Sequence, residues 1–170
     1  MLRFLAAVAL AGAALSPAVA QDPGSRPTRE FVQAAGQSDQ FEILEGETAL
    51  AQSTDPQVRD FAQQMIKAHG DTSRALEQAT QKSGLKPPPK GISADQAPLL
   101  SALQSLRGRD FDKAYFRHQV LAHLSALTAE QGYAATGGDP AVRQAAASAV
   151  PIISAHLSMA MQMQSQFDSK

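Results

Sequence analysis

Asp55-Pro56-Gln57-Val58-Arg59-Asp60-Phe61-Ala62-Gln63-Gln64-Met65-Ile66-Lys67-Ala68-His69 is the stretch that decides the fold. It opens with an acidic side-chain cap and puts proline at the first helical position, where a missing N–H costs nothing. Val58, Phe61, Ala62, Met65, His69, Thr72 and Leu76 then recur at three- and four-residue steps, the period of an amphipathic helix. His69 falls on the inner face, and Gly84 ends the helix. The same opening returns as Asp139-Pro140-Ala141-Val142-Arg143. It leads into a stripe of Val142, Ala146, Ala149, Ile153, His156, Ala160, Met163 and Phe167, with a histidine again on the inner face. Pro151 lies inside this helix and is expected to kink it, because it removes one backbone bond and crowds the preceding turn.

Two further long helices flank these. One runs from about Arg29 to Ser53, with Phe31, Ala35, Ser38, Glu42, Glu45 and Ala49 on its stripe and Val32, Ile43 and Leu50 on a second apolar edge. The other begins at Asp110 and stops at Gly137-Gly138. It has two faces: Phe116, Val120, His123, Leu124 and Leu127, taken as inner, and Phe111, Tyr115, His118 and Ala122, with His118 near the boundary. Between the pairs, Leu85 to Pro98 is a Pro-rich crossover able to connect two helices that point the same way. Ser93-x-x-Gln96 within it has the form of a capping box for a short helix ending near Leu106. The expected architecture is an all-α four-helix bundle over residues 29–167, two helix pairs joined by a long crossover with a short extra helix.

Residues 1–20, MLRFLAAVALAGAALSPAVA, carry one early cation, an apolar run and a closing Ala18-Val19-Ala20, the pattern of a secretory signal peptide cleaved after Ala20. Residues 21–28 form a polar lead expected to stay mobile. The 150 residues that follow the leader make one domain, long enough to bury a sound core without staples. With no cysteine in the chain, neither disulfides nor lipidation is available, and a bacterial periplasm fits best. Beyond the leader, 14 Lys/Arg face 16 Asp/Glu with no basic block, which argues against nucleic acid and anionic membrane surfaces as partners. No later segment is apolar for the roughly 18 residues that a membrane span needs. Aromatic residues make up only 5% and Trp is absent, a composition that favours helices over sheets.

His69, His123, His156 and Glu42 each fall near the middle of the apolar stripe of a different helix. Burying four such groups without partners would cost roughly 2–7 kcal/mol apiece, and more for a charge. Either they satisfy one another by hydrogen bonds, or they hold a single transition metal. Three neutral imidazoles and a carboxylate suit Zn(II), Cu(II), Fe(II) or Ni(II). If Glu45 also points inward, two carboxylates in one apolar site would repel unless a proton or a cation lies between them.

The chain resembles the bacterial family catalogued as domain of unknown function 4142, a ferritin-like group of exported four-helix bundles, over nearly all of residues 29–165. The residues that carry the resemblance are Phe41-Glu42-Ile43, Asp55-Pro56-x-Val58-Arg59-x-Phe61-Ala62-x-x-Met65-Ile66-x-x-His69, Phe111-Asp112-x-Ala114-Tyr115 with His123, and Pro151 with His156-Leu157. The resemblance implies the fold and an envelope location, and no agreed activity. Members usually have an acid immediately before the second-helix histidine, where this chain has Ala68. Di-iron proteins of the wider fold use Glu-x-x-His pairs. Here Ile66 and Ile153 stand three before His69 and His156, so ferroxidase chemistry is not expected.

Met65, Met159 and Met163, spaced around His69 and His156, form a rival set for Cu(I), although methionines at this spacing usually fill a core. No G-x-S-x-G elbow, glycine-rich phosphate loop or cysteine supports nucleophilic catalysis, and no enzyme activity is expected. A structural or interaction role remains as the other class. Phe111, Tyr115 and His118 would then either face a protein partner or a second copy in the envelope, or pack under the crossover.

Overall fold

The computed structural model describes residues 24–169, so the expected leader and residues 21–23 of the lead lie outside the described residues. The described elements are all helical: α1 (Arg26–Gln52), α2 (Pro56–Lys82), α3 (Gln96–Ser105), α4 (Gly108–Thr136) and α5 (Pro140–Ser169). Helix α1 starts three residues ahead of the expected Arg29, with Pro27 in its first turn.

The repeated Asp-Pro opening works as a cap in both places. Asp55 accepts from the backbone N–H groups of Gln57 at 2.8 Å and Val58 at 3.4 Å, and Asp139 accepts from Val142 N–H at 2.8 Å. Gly84, at φ +64°, takes the left-handed conformation that closes α2. The capping box in the crossover is realised in both directions: Ser93 N–H donates to Gln96 Oε1 at 2.8 Å, and Gln96 N–H donates to Ser93 Oγ at 3.2 Å. Helix α5 continues through Pro151 to Ser169.

Side-chain bonds between helix ends fix the topology. Ser53, just after α1, donates to Asp112 near the start of α4 at 2.6 Å, while Tyr133 near the end of α4 donates to Thr28 at the start of α1 at 2.9 Å. Helices α1 and α4 are therefore antiparallel neighbours. Ser83, after α2, donates to Asp139 before α5 at 2.8 Å, so α2 and α5 are antiparallel neighbours too. The α1–α2 and α4–α5 hairpins supply the most extensive packing, leaving α2 and α4 as parallel diagonals. That is why a short turn could not join them and a crossover does. The crossover runs over α1, where Gly36 makes room for Pro88: a Cβ at Gly36 would lie 2.4 Å from the proline ring.

Two apolar clusters fill the ends of the bundle. Phe61, Met65, Leu103, Phe111, Tyr115, Phe116 and Phe167 are among the residues of one, and Phe31, Val32, Leu76, Tyr133 and Val142 among those of the other. One expectation for α4 is corrected here: Leu124, expected on the inner face, is 46% exposed. Of the two fates open to Phe111 and Tyr115, a partner surface or packing under the crossover, the second holds: both are fully buried, in one cluster with Leu103 of the crossover's helix α3. The inner positions that leucine was expected to fill belong instead to Gln119 and Glu130, whose burial a purely apolar stripe conceals. On α1, Ser38 gives way to Asp39 as the buried position of that turn.

Candidate metal centre

His69 from α2, His123 from α4 and His156 from α5 meet in the middle of the bundle, between the two apolar clusters. Their rings are 5.3, 5.5 and 5.5 Å apart between centroids. One nitrogen from each lies within 4.8 Å of the others, and all three residues are buried. The Nε2 atoms of His69 and His123 are 3.4 Å apart.

The outward nitrogens decide how these rings present themselves. His69 Nδ1 lies 2.9 Å from Asp39 Oδ1 and donates to it, and Asp39 also accepts from Thr72 Oγ1 at 2.8 Å. His123 Nδ1 donates to the Gln119 carbonyl at 2.8 Å, the residue one turn earlier on α4. A neutral imidazole with its proton on Nδ1 turns a lone pair out from Nε2. With the Nδ1 protons of His69 and His123 both donated outward, their Nε2 atoms face each other, and a proton or a cation between them satisfies both. His156 Nδ1 is buried with no partner. Burial, and then the neighbouring His69, push His123 down to about 3 and His156 down to about 4, so both are neutral near pH 7.

Glu42 is buried beside the trio but outside its convergence point. Its Oε1 lies 3.5 Å from His123 Nδ1, on the far side of that ring, and has no hydrogen-bond partner. Its Oε2 accepts from Gln119 Nε2 at 2.6 Å, and the same amide nitrogen donates to Glu45 Oε2 at 3.0 Å. Glu45 does point inward, and its Oε1 lies 2.7 Å from His118 Nδ1. Burial and mutual repulsion raise the Glu42 carboxyl well above its usual range, and burial raises Glu45 against the pull of His118. Further along, burial and the charge of Asp39 push Glu130 up to about 8.

Met65, Met159 and Met163 belong to the apolar cluster around Phe61, Tyr115 and Phe116, the core-filler arrangement. Asp39, Gln119 and Glu130 were not singled out from sequence. Asp39 carries a usable signal, since it stands three before Glu42 and so neighbours it on the helix surface.

Two solved structures share this architecture. One is the crystal structure of a DUF305 fragment from Deinococcus radiodurans, with TM-score 0.74 and 17% identity, covering 85% of this chain and 99% of that one. The other is CopM in its Cu(II)-bound form, with TM-score 0.68 and 17% identity, covering 82% of this chain and 96% of that one. At such identity the likeness speaks for the fold alone. No curated protein matches the sequence. A family model described as "Domain of unknown function (DUF4142)" matches residues 13–163, and the chain belongs to that family.

Proposed function

We propose that this member of the family is an exported binding protein for one transition-metal ion, held in the bundle core by His69, His123 and His156. The observation that carries the reading is the convergence of three imidazole nitrogens within 4.8 Å of one another, with two of the rings anchored from behind by Asp39 and the Gln119 carbonyl. Metal-bound histidines almost always donate their other N–H to such partners, which fixes the tautomer. One proton could serve two facing nitrogens but not three, and His156 Nδ1 would stay unserved. Two nitrogens on a tetrahedral ion at about 2.0–2.1 Å sit about 3.3–3.4 Å apart, which the His69–His123 spacing of 3.4 Å matches. Three neutral imidazoles suit Cu(II), Zn(II), Fe(II) or Ni(II). The shared architecture with a copper-bound protein makes Cu(II) the first ion to test. Glu42 stands behind His123, where a bound cation would favour loss of the carboxyl proton that burial and Glu45 otherwise hold on it. The leader pattern of residues 1–20 supports delivery to the periplasm, and the role that follows is metal handling there rather than catalysis.

The test uses protein expressed with its leader, recovered untagged from the periplasm, treated with chelator, and titrated with Cu(II), Zn(II) and Fe(II) by calorimetry and thermal melting. The N-terminus of the recovered protein should be Gln21. One ion per chain should bind, and at a free concentration about 100 times Kd it should add about 2.7 kcal/mol, or roughly 5–10 °C in Tm for a domain of this size. His156→Ala should remove the effect with helicity unchanged. Neither uptake nor a Tm shift with any of these ions would leave the trio as a buried hydrogen-bond cluster.

A further inference from the structure

We propose that Glu42 and Glu45, with the Gln119 amide oxygen and the Tyr115 hydroxyl, form a second cation site behind His123, suited to a hard divalent ion of the Mn(II) class. The observations behind it are separate from those that support the three-histidine centre. The two carboxylates are 1% and 0% exposed and converge on a single group, the Gln119 amide nitrogen, at 2.6 and 3.0 Å. A partly positive NH₂ therefore sits where a cation would be most favoured. Glu42 Oε1 and Gln119 Oε1, on the groups so joined, are buried without a hydrogen-bond partner, and so is the hydroxyl of Tyr115, one turn before Gln119 on α4. Leaving such a group unserved costs about 1–3 kcal/mol, and two on side chains that already touch mark a site that is incomplete. Tyr115 is placed with the group by its position four residues before Gln119 on the same face of α4; its phenol is raised well above its usual value by burial and then by the charges of Glu42 and Glu45.

The terminal amide of Gln119 turns about a broad, roughly two-fold torsion, so a half-turn exchanges its nitrogen for its oxygen. With the oxygen turned in, the two carboxylates and the amide repel one another. A divalent ion at their centre makes all three its ligands, and Tyr115 supplies a fourth oxygen or a hydrogen bond to one of them. The amide is then a placeholder that yields to the ion. Carboxylate and amide oxygens suit Mn(II), Mg(II) or Ca(II), whereas imidazoles suit later transition metals, so the two sites select differently. Access is provided on the outer side. His118, bonded to Glu45, lines an open groove of about 520 Å³ between α1, α3 and α4.

Mn(II) titration followed by the EPR signal of the unbound ion tests the proposal on the full folded protein. Tb(III) luminescence excited through tyrosine gives the location. The chain has two tyrosines and no Trp, and Tyr133 lies about 27 Å further along α4 at 1.5 Å per residue. One Mn(II) should bind per chain in wild-type protein, in protein already saturated with Cu(II), and in the His69→Ala/His156→Ala variant. It should be lost in Glu42→Gln/Glu45→Gln, which preserves shape and removes charge. Tb(III) luminescence should appear in wild type and vanish in Tyr115→Phe. The proposal is overturned if wild type binds no Mn(II), if the double glutamine variant still binds it, or if Cu(II) displaces it. Tb(III) emission that survives Tyr115→Phe also overturns it, by placing the ion elsewhere. Failure of Cu(II) to bind leaves these Mn(II) outcomes intact, so the two readings fail separately.

Discussion

At the scale of single residues, Asp39 is the side chain on which the centre turns. It is 7% exposed, bonded to His69 Nδ1 and Thr72, and its charge reaches Glu130. As a positioning residue it holds the His69 ring in the tautomer that turns Nε2 inward. Asp39→Asn keeps the shape but can present its NH₂ as easily as its oxygen and carries no charge. Cu(II) affinity should fall about 10–100-fold, with an altered Cu(II) EPR signature, while the circular dichroism spectrum stays that of wild type. A change within about twofold, with the EPR signal unmoved, would remove Asp39 from this role. The three histidines were legible because a polar residue on an apolar stripe demands a reason. Asp39, Gln119 and Glu130 were not, because periodicity counts apolar residues and passes over a buried acid whose partner is remote in sequence. The chain's second polar group, around Glu45, was legible only as a condition on which way that residue faces.

Among the elements, the repeat Asp-Pro-x-Val-Arg announced both helix starts, and the capping box announced α3. What the repeat conceals is that its two copies do different work. Asp55 is half-buried and caps its own helix. Asp139 is 1% exposed, caps α5, accepts from Ser83 at the end of α2, and donates its backbone N–H to the Tyr133 hydroxyl of α4 at 3.2 Å. Three helix ends are tied at that point. Asp55→Ala should cost about 1 kcal/mol, the ordinary cost of a lost cap. Asp139→Ala should cost about 2–3 kcal/mol, because it also strands the Ser83 hydroxyl. Urea unfolding of the two variants decides this, and equal losses would show that the tie adds nothing. Misreading Leu124 as inner has the same origin as overlooking Gln119. On α4 the tertiary partners on α1 reward buried polar groups, and two leucines, Leu121 and Leu124, are left to the outside at 67% and 46% exposure.

For the molecule as a whole, the buried titratable groups pull stability in opposite directions with pH. His123 and His156 have folded values of about 3 and about 4 against 6.5 for the free side chain. Between those values the unfolded chain binds more protons, so stability rises as pH rises toward 6.5 and is lost as pH falls below it. Glu130 is the reverse case, with about 8 in the fold against 4.5 free, and Glu42 and Glu45 shift the same way. There the folded protein holds the extra proton, and stability is lost as pH rises from 4.5 through 8. The two effects oppose each other between 4.5 and 6.5. Below that window only the histidine slope remains, and above it only the carboxyl slope. Chelator-treated protein should therefore have its highest urea midpoint on the mildly acidic side and weaken toward both pH 3.5 and pH 8. Glu130→Gln should flatten the decline above pH 6.5 and leave the acid limb unchanged. A wild-type midpoint that climbs steadily to pH 8 would mean that these carboxyls ionise freely in the fold. A bound cation should reverse the alkaline limb, because deprotonated carboxylates beside the centre then stabilise the ion instead of repelling one another.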